Sequence, residues 1–201
     1  VMLLAGAKKP IIYAGGGVIN AGDKGSQLLT QFIRMTGSPC TLTLMGLGAY
    51  PASDEQFLGM LGMHGTYEAN LAMHHCDVML CVGARFDDRV TGRLDAFAPY
   101  AKKIHIDIDP SSINKNVRID VPIIGDVACV LEDMIKVWKS GQHHMDGKAL
   151  DAWWQEIAAW RAIKCLNYGK SDTLIKPQHA IRRLYEATKD RETFITTEVG
   201  Q

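Results

Sequence analysis

The sequence has no excess of charge of either sign, because 22 lysines and arginines balance 22 aspartates and glutamates. A neutral chain offers no general attraction to nucleic acid or to an anionic membrane surface. It also has no apolar run of membrane-spanning length, and no charged segment precedes the short apolar stretch at its start, so we expect no signal peptide. Recognition must therefore depend on local groups.

The chain also lacks a paired-cysteine motif. Its five cysteines are widely spaced, which indicates reduced thiols in a cytosol-like compartment. His64, His74, His75, Cys76 and Cys81 suggest a metal site at first sight. We reject that interpretation, because adjacent helical residues point in different directions and no second pair at zinc-like spacing exists. We expect no metal site in this chain.

Short apolar runs alternate with amphipathic stretches along most of the sequence. This rhythm predicts an α/β fold with a doubly wound, Rossmann-like parallel sheet. The sequence does not begin with methionine, and its last apolar run stops without a closing element, so we interpret it as a piece of a longer protein. The predicted strands are residues 10–14, 40–45, 78–82, 102–110, 121–124 and 193–198, and the predicted helices include residues 26–35, 66–77 and 127–138.

Three further segments have distinctive compositions. Residues 46–65 are rich in glycine and methionine, which predicts a binding loop, although methionines there could equally fill the core. Residues 140–148 are polar and predict a linker. A stripe of tryptophan and isoleucine within residues 153–163 predicts a packing surface.

Charged residues are concentrated in residues 81–93, directly after a predicted buried strand. Gly83 ends that strand, and Arg85 is the first of several charged residues that follow. In an open α/β sheet, ligands bind beyond the carboxyl ends of the strands, so we expect a ligand at this point. The glycine turn at 15–17 can expose backbone N–H groups to a phosphate or a flat ring, although it is not a GxGxxG motif and a tight turn explains it too. Asp107 ends another strand, where a carboxylate commonly accepts ribose or ribityl hydroxyls.

Five motifs together resemble one enzyme family. They are Gly-Gly-Gly at 15–17, Gly-Met-His-Gly at 62–65, Gly-Ala-Arg-Phe-Asp-Asp-Arg-Val-Thr-Gly at 83–92, His-Ile-Asp-Ile-Asp-Pro at 105–110 and Gly-Asp at 125–126. With these motifs the chain is similar to the central domain of the large catalytic subunit of acetohydroxyacid synthase (acetolactate synthase), a thiamine diphosphate enzyme of isoleucine and valine biosynthesis. Central domains of pyruvate oxidase or glyoxylate carboligase would share the fold but are not expected to carry the block at 83–92.

The resemblance implies a parent enzyme of three domains. Residues 1–139 would form the central FAD-binding domain, residues 140–175 a linker with a helix, and residues 176–201 the truncated start of the domain that binds the thiamine diphosphate with Mg²⁺. Such an enzyme condenses two pyruvates, or pyruvate and 2-oxobutanoate, with loss of CO₂. The chain lacks the activating glutamate and the Gly-Asp-Gly metal motif of the family. We therefore expect no catalytic residue in this chain and no activity from it alone.

The resemblance also assigns binding residues. Arg85 and Arg89 are expected at the FAD diphosphate or near the isoalloxazine, and Asp107 at hydroxyls of the adenosine end. Met63, Asp88 and Arg89 are expected beside the substrate channel, and Val199, Gly200 and Gln201 at thiamine diphosphate. The residues expected to line FAD are Gly16, Gly17, Thr43, Leu44, Met45, Leu61, Gly62, Met63, His64, Gly83, Ala84, Arg85, Asp87, Arg89, Val90, Asp107, Ile108, Asp126 and Val127.

The implied partners are further copies of the catalytic subunit, in a dimer or tetramer, with a small regulatory subunit left open and no nucleic acid or membrane. The implied location is the cytoplasm, or a plastid or mitochondrion in a eukaryote. Three other classes of protein share parts of this pattern. An NAD-dependent oxidoreductase domain would need GxGxxG after the first strand, and a sirtuin-like deacylase would need four zinc-binding cysteines. A non-catalytic FAD- or nucleotide-binding module stays open.

Overall fold

The computed structural model describes residues 1–196, which belong to two compact units. The first unit runs from Val1 to Cys165, and the second begins at Leu166. The strands are β1 (Pro10–Ala14), β2 (Cys40–Leu42), β3 (Phe57–Met60), β4 (Val78–Val82), β5 (Lys102–Asp107) and β6 (Val121–Ile124). The helices of the first unit are α1 (Met2–Ala5), α2 (Gly16–Asn20), α3 (Gly22–Thr36), α4 (Tyr67–His75), α5 (Asp88–Thr91), α6 (Val127–Ser140) and α7 (Gly147–Arg161). The second unit contains α8 (Pro177–Thr188).

The six strands form one parallel sheet with the order β3-β2-β1-β4-β5-β6. The order reverses between β1 and β4, which is the arrangement of a doubly wound dinucleotide-binding sheet. The predicted α/β fold is therefore confirmed. Because every strand runs in the same direction, the carboxyl ends of all six meet at one edge of the sheet.

Apolar cores cover both faces of the sheet. On the first face, α3 and α6 pack against the strands, and the Phe32 ring meets the edge of Trp138 with centroids 5.8 Å apart. On the second face, α4 and α7 cover the strands, and Trp153 is fully buried there. Burial on both faces explains why the central strands are continuous apolar runs in the sequence.

Two tryptophans of helix α7 donate hydrogen bonds to main-chain carbonyls of β1 and of the end of α3. Asp146 caps its first turn by accepting hydrogen bonds from the N–H groups of Lys148 and Ala149. Trp153 Nε1 donates to the carbonyl of Pro10 at 3.0 Å, and Trp154 Nε1 to that of Gly37 at 2.9 Å. The sequence interpretation assigned 140–175 to a linker with a helix, and in the structure that helix packs on the second face. The predicted aromatic packing surface is confirmed for Trp153.

The structure corrects three of the predicted strands. The strand predicted at 102–110 ends at Asp107, and Pro110 begins a short 3₁₀ turn. The strand predicted at 40–45 ends at Leu42, because Thr43 Oγ1 accepts a hydrogen bond from Gly46 N at 3.0 Å and starts a short 3₁₀ turn. The strand predicted at 193–198 is absent from residues 193–196, and the remaining two positions lie outside the described residues.

The loop predicted at 46–65 also needs correction, because it contains the edge strand β3. Gly59 lies within β3 with φ of +91°, and the pairing of β3 with β2 shifts register. This irregularity removes the alternating pattern that would have indicated a strand. None of the helices in residues 1–196 is long and apolar enough to cross a membrane.

Candidate functional site

Glycine turns follow the two strands that flank the reversal of strand order. Gly15 N donates to the carbonyl of Val82 at 2.9 Å, and Gly17 N to that of Gly83 at 3.0 Å. A Cβ on Gly15 would lie 2.4 Å from Gly83 O, and one on Gly17 would lie 2.7 Å from Gly83 Cα. The two turns approach so closely that a larger residue would force them apart.

The neighbouring turns continue this edge on both sides. Gly83 N donates to Ile106 O at 2.8 Å, which places Asp107, the last residue of β5, beside the turn after β4. Thr43 N donates to Ala14 O at 2.9 Å and attaches the turn after β2. The residues that the sequence assigns to FAD lie beyond all six strands. They are Gly16 and Gly17 after β1; Thr43, Leu44 and Met45 after β2; Leu61, Gly62, Met63 and His64 after β3; Gly83, Ala84, Arg85, Asp87, Arg89 and Val90 after β4; Asp107 and Ile108 at the end of β5; and Asp126 and Val127 after β6.

The turn after β4 supplies positive charge at this edge. Arg85 Nη2 pairs with Asp87 Oδ2 at 3.0 Å, and both side chains are exposed. Arg89 is exposed too, and among residues 1–196 no carboxylate forms an ion pair with it. The guanidinium of Arg89 is therefore free to bind an anion.

Asp107 supplies a free acceptor. Its Oδ1 accepts the N–H of Asp109 at 2.9 Å. Its Oδ2 lies 3.6 Å from His105 Nε2, which is too long for a hydrogen bond. Burial lowers the pKa of His105, so the ring is neutral at pH 7 and does not pair electrostatically with the carboxylate. The Asp107 side chain is largely buried but keeps 10% of its surface exposed, so its Oδ2 can accept a hydroxyl from a ligand that reaches this edge.

Exposed apolar side chains lie in turns at the same edge of the sheet. The side chains of Met45 and Met63 are 74% and 66% exposed, and those of Leu44 and Ile108 are exposed as well. The position of a Cβ on Gly16 lies only 3.2 Å from Met45 Cβ, so this apolar surface adjoins the glycine turn. Apolar side chains grouped on a polar rim are typical of a ligand or partner site.

Hydrogen bonds to Arg89 and Asn70 hold the turn that contains Met63. Gly62 has φ of +92°, and a Cβ there would lie 2.4 Å from Arg89 O. Met63 N donates to the same carbonyl at 2.9 Å. Asn70 Oδ1 accepts from Gly62 N at 2.8 Å, while its Nδ2 donates to Gly62 O at 3.0 Å. Two residues expected beside a substrate channel, Met63 and Arg89, are thus in contact.

Some assigned residues cannot reach a ligand with their side chains. Those of Leu61, Ala84 and Val127 are buried in the cores, so only their main chain is available. The Asp126 carboxylate accepts the N–H of Cys129 at 3.0 Å as the cap of α6, and this hydrogen bond lowers the pKa of Asp126. The residues expected at thiamine diphosphate, Val199, Gly200 and Gln201, lie outside the described residues.

The assigned residues are also spread across the sheet. β3 and β6 are five strand spacings apart, or roughly 24 Å at the usual separation of neighbouring strands. A compact ligand cannot touch both ends of such a row. The arrangement therefore suits an extended ligand, such as a dinucleotide, that lies across the reversal point.

Sequence reasoning missed three residues that shape this edge. His105 Nε2 lies 2.8 Å from Ala84 O, Asn70 clamps Gly62, and Asn116 Nδ2 donates to Phe86 O at 3.0 Å. The only signal for Asn70 was a polar residue in the first turn of a predicted helix. For His105 it was a polar residue inside a buried strand.

Two buried ionisable side chains lie in the central strands, Tyr13 in β1 and Cys81 in β4. Burial raises the pKa of the Cys81 thiol and of the Tyr13 hydroxyl, so both stay protonated at neutral pH and are poor nucleophiles. Across residues 1–196 no cluster of three histidine, cysteine or carboxylate side chains is arranged to hold a metal ion. The residues of the carboxyl edge can orient a ligand that brings its own chemistry.

Residues 1–134 match the central domain of thiamine pyrophosphate enzymes, and the chain belongs to that family. It is 48% identical over 195 residues to an acetolactate synthase large subunit of Haemophilus influenzae, covering 97% of this chain and 33% of the relative. It is 48% identical over 198 residues to the large subunit of acetolactate synthase isozyme 3 of Escherichia coli, covering 98% and 34%. The chloroplastic acetolactate synthase of Arabidopsis thaliana is 44% identical over 203 residues, covering 100% and 29%. The chain thus spans about a third of the length of these relatives.

Proposed function

We propose that this chain is the FAD-binding central domain of a thiamine diphosphate-dependent acetolactate synthase. One observation carries the proposal: at the reversal of strand order, the closely packed glycine turns, the unpaired Arg89 and the free Oδ2 of Asp107 share one edge of a parallel sheet, within the part of the chain that the structure describes. Membership of the thiamine pyrophosphate enzyme family and the similarity to three acetolactate synthases support it.

The chemistry of the edge fits the parts of FAD. The glycine turns and the guanidinium groups of Arg85 and Arg89 suit a diphosphate, because both supply donors to anionic oxygens. Asp107 suits a ribose or ribityl hydroxyl. The exposed methionines, Met45 and Met63, suit a flat isoalloxazine, because their soft side chains adapt to aromatic surfaces. The chain's own residues would hold the flavin in place and shield it from water.

In the whole enzyme, thiamine diphosphate with Mg²⁺ supplies the electron sink for condensing two pyruvates, or pyruvate and 2-oxobutanoate, with loss of CO₂. Met63, Asp88 and Arg89 would lie beside the substrate channel, and Val199–Gln201, outside the described residues, would bind thiamine diphosphate. The enzyme would be a dimer or tetramer of catalytic subunits, and the attachment of a small regulatory subunit is left open. It works in the cytoplasm, or in an organelle such as a plastid in a eukaryote. The present chain alone makes no acetolactate.

Titration of FAD into the purified chain tests the proposal. We expect saturable binding with quenched flavin fluorescence and a yellow protein. Arg89→Ala should weaken the affinity about tenfold, because it removes a charge-assisted contact to phosphate. Arg93→Ala is the matched control: Arg93 lies close by, is exposed and pairs with Asp95 at 2.8 Å. It should leave the affinity unchanged.

Three results would count against the proposal. Equal weakening by Arg89→Ala and Arg93→Ala would mean that charge in general, and not this edge, attracts the flavin. NADH binding as tight as FAD binding would favour the NAD-dependent alternative. Acetolactate produced by the purified chain from pyruvate, thiamine diphosphate and Mg²⁺ would refute the claim that it is inactive alone.

A further inference from the structure

One main-chain carbonyl at the proposed site accepts two buried donors. Ala84 O lies 2.8 Å from His105 Nε2 and 3.3 Å from Cys81 Sγ. Both side chains are fully buried on the second face of the sheet. They hold this carbonyl in the core, at the first bend after β4.

The same peptide plane carries the N–H of Arg85. In a trans peptide, the C=O and the next N–H point in opposite directions. With Ala84 O fixed toward the core, the Arg85 N–H points away from it, and among residues 1–196 the structure gives that N–H no acceptor. The next residue, Phe86, has φ of +56°, and Asn116 donates to its carbonyl at 3.0 Å, which fixes the turn on its other side.

The two nitrogens of the His105 ring differ in their hydrogen bonding. Its Nε2 donates to a carbonyl, so its Nδ1 is without a proton, and within residues 1–196 this buried Nδ1 has no hydrogen-bond partner. The ring also packs edge-on against Phe86, with centroids 5.1 Å apart. An apolar ring would avoid the unsatisfied nitrogen. Phenylalanine at this position could not supply the Nε2 donor to Ala84 O.

We propose that His105 is a positioning residue, which aims the main-chain N–H of Arg85 out of the core to donate to a phosphate oxygen of the bound dinucleotide. This inference rests on the proposed function. The diphosphate would then be bound by a neutral main-chain donor as well as by the arginine side chains already assigned to it. The residue that orients this donor, His105, lies on the neighbouring strand β5.

The test uses ¹⁵N-labelled chain, FAD titration and the amide proton shift of Arg85. In the wild type, FAD should move the Arg85 amide proton downfield as it gains an acceptor. His105→Phe should abolish this shift and weaken FAD binding about tenfold, because the carbonyl loses its stronger anchor. His105→Gln should restore both, because its amide can donate to Ala84 O.

Met79→Ala is the control for a general loss of core packing. Met79 is fully buried on the same face of β4, two residues before Cys81, and it is not bonded to Ala84. This variant should be less stable but keep the Arg85 shift. If His105→Phe does not fold, the pair His105→Gln and His105→Asn decides, because the shorter Asn side chain does not reach Ala84 O.

The outcomes separate this inference from the proposed function. An unchanged Arg85 shift in folded His105→Phe, or its loss in Met79→Ala, overturns the positioning role. If the wild type binds no FAD, the proposed function fails, and inorganic pyrophosphate then replaces FAD as the probe. A pyrophosphate-induced Arg85 shift that depends on His105 would uphold the positioning of an anion donor. No shift in the wild type would overturn it.

Discussion

The two faces of the sheet are equally well buried but differ in what they do. The first face is an apolar layer in which side chains such as Phe32 and Trp138 pack against one another. On the second face, Trp153, Cys81 and His105 also pack, and each donates to a main-chain carbonyl. Apolar packing fixes the sheet, whereas these directed contacts determine how its strands begin and how its carboxyl-edge turns are oriented. The difference indicates that stability and ligand binding can be changed separately.

The largest effect on stability should come from removing a large side chain from the core of the first face. Phe32→Ala removes a fully buried ring and should lower the free energy of unfolding by about 3–5 kcal/mol, measured by urea denaturation. The affinity of the remaining folded protein for FAD should not change, because Phe32 packs in the apolar core of the first face, where its ring meets the edge of Trp138. A loss of FAD affinity in Phe32→Ala protein that is shown to be folded would contradict the conclusion that stability and ligand binding can be changed separately.

A smaller loss of stability with a larger loss of binding should follow from Gly17→Ala. The new Cβ would lie 2.7 Å from Gly83 Cα, and relieving such crowding costs about 1–3 kcal/mol. Because the relief must separate the two turns, FAD binding should be lost. Gly147→Ala is the control, since a Cβ there meets nothing within 4 Å. Unimpaired FAD binding by Gly17→Ala would show that the close approach is dispensable.

The smallest effect concerns pH and the buried imidazole of the second face. Burial lowers the pKa of His105, so below about 6.5, the ordinary histidine pKa, the unfolded chain binds a proton that the folded chain resists. This contribution to stability is complete above that pH and is lost as the pH falls toward the lowered pKa. Urea denaturation from about pH 7.5 down to about pH 5, a range that spans the ordinary histidine pKa, should show a shallower decline for His105→Gln. Identical slopes would mean that His105 titrates normally.

The sequence was sufficient for the sheet because buried parallel strands leave continuous apolar runs, as in β1 and β4. The carboxyl-edge location of Gly16, Arg85 and Asp107 could be predicted too, since strand direction alone places them there. The strand β3 could not be predicted, because Gly59 and the shift in register against β2 remove the alternating pattern of a strand. The role of His105 was equally hidden, since it depends on a carbonyl 21 residues away that only the folded turn brings near.

Helix α7 determines where this polypeptide could be shortened. The family match ends at residue 134, but Trp153 and Trp154 hold β1 and the end of α3, and Arg161 donates to the carbonyls of Glu55 and Phe57 at the open border of the sheet. A recombinant product trimmed to the family boundary would expose a hydrophobic surface and an unprotected outer strand, both of which favour aggregation. The end of a shortened chain is therefore better chosen from the contacts of Trp153 and Trp154 than from the end of the family match.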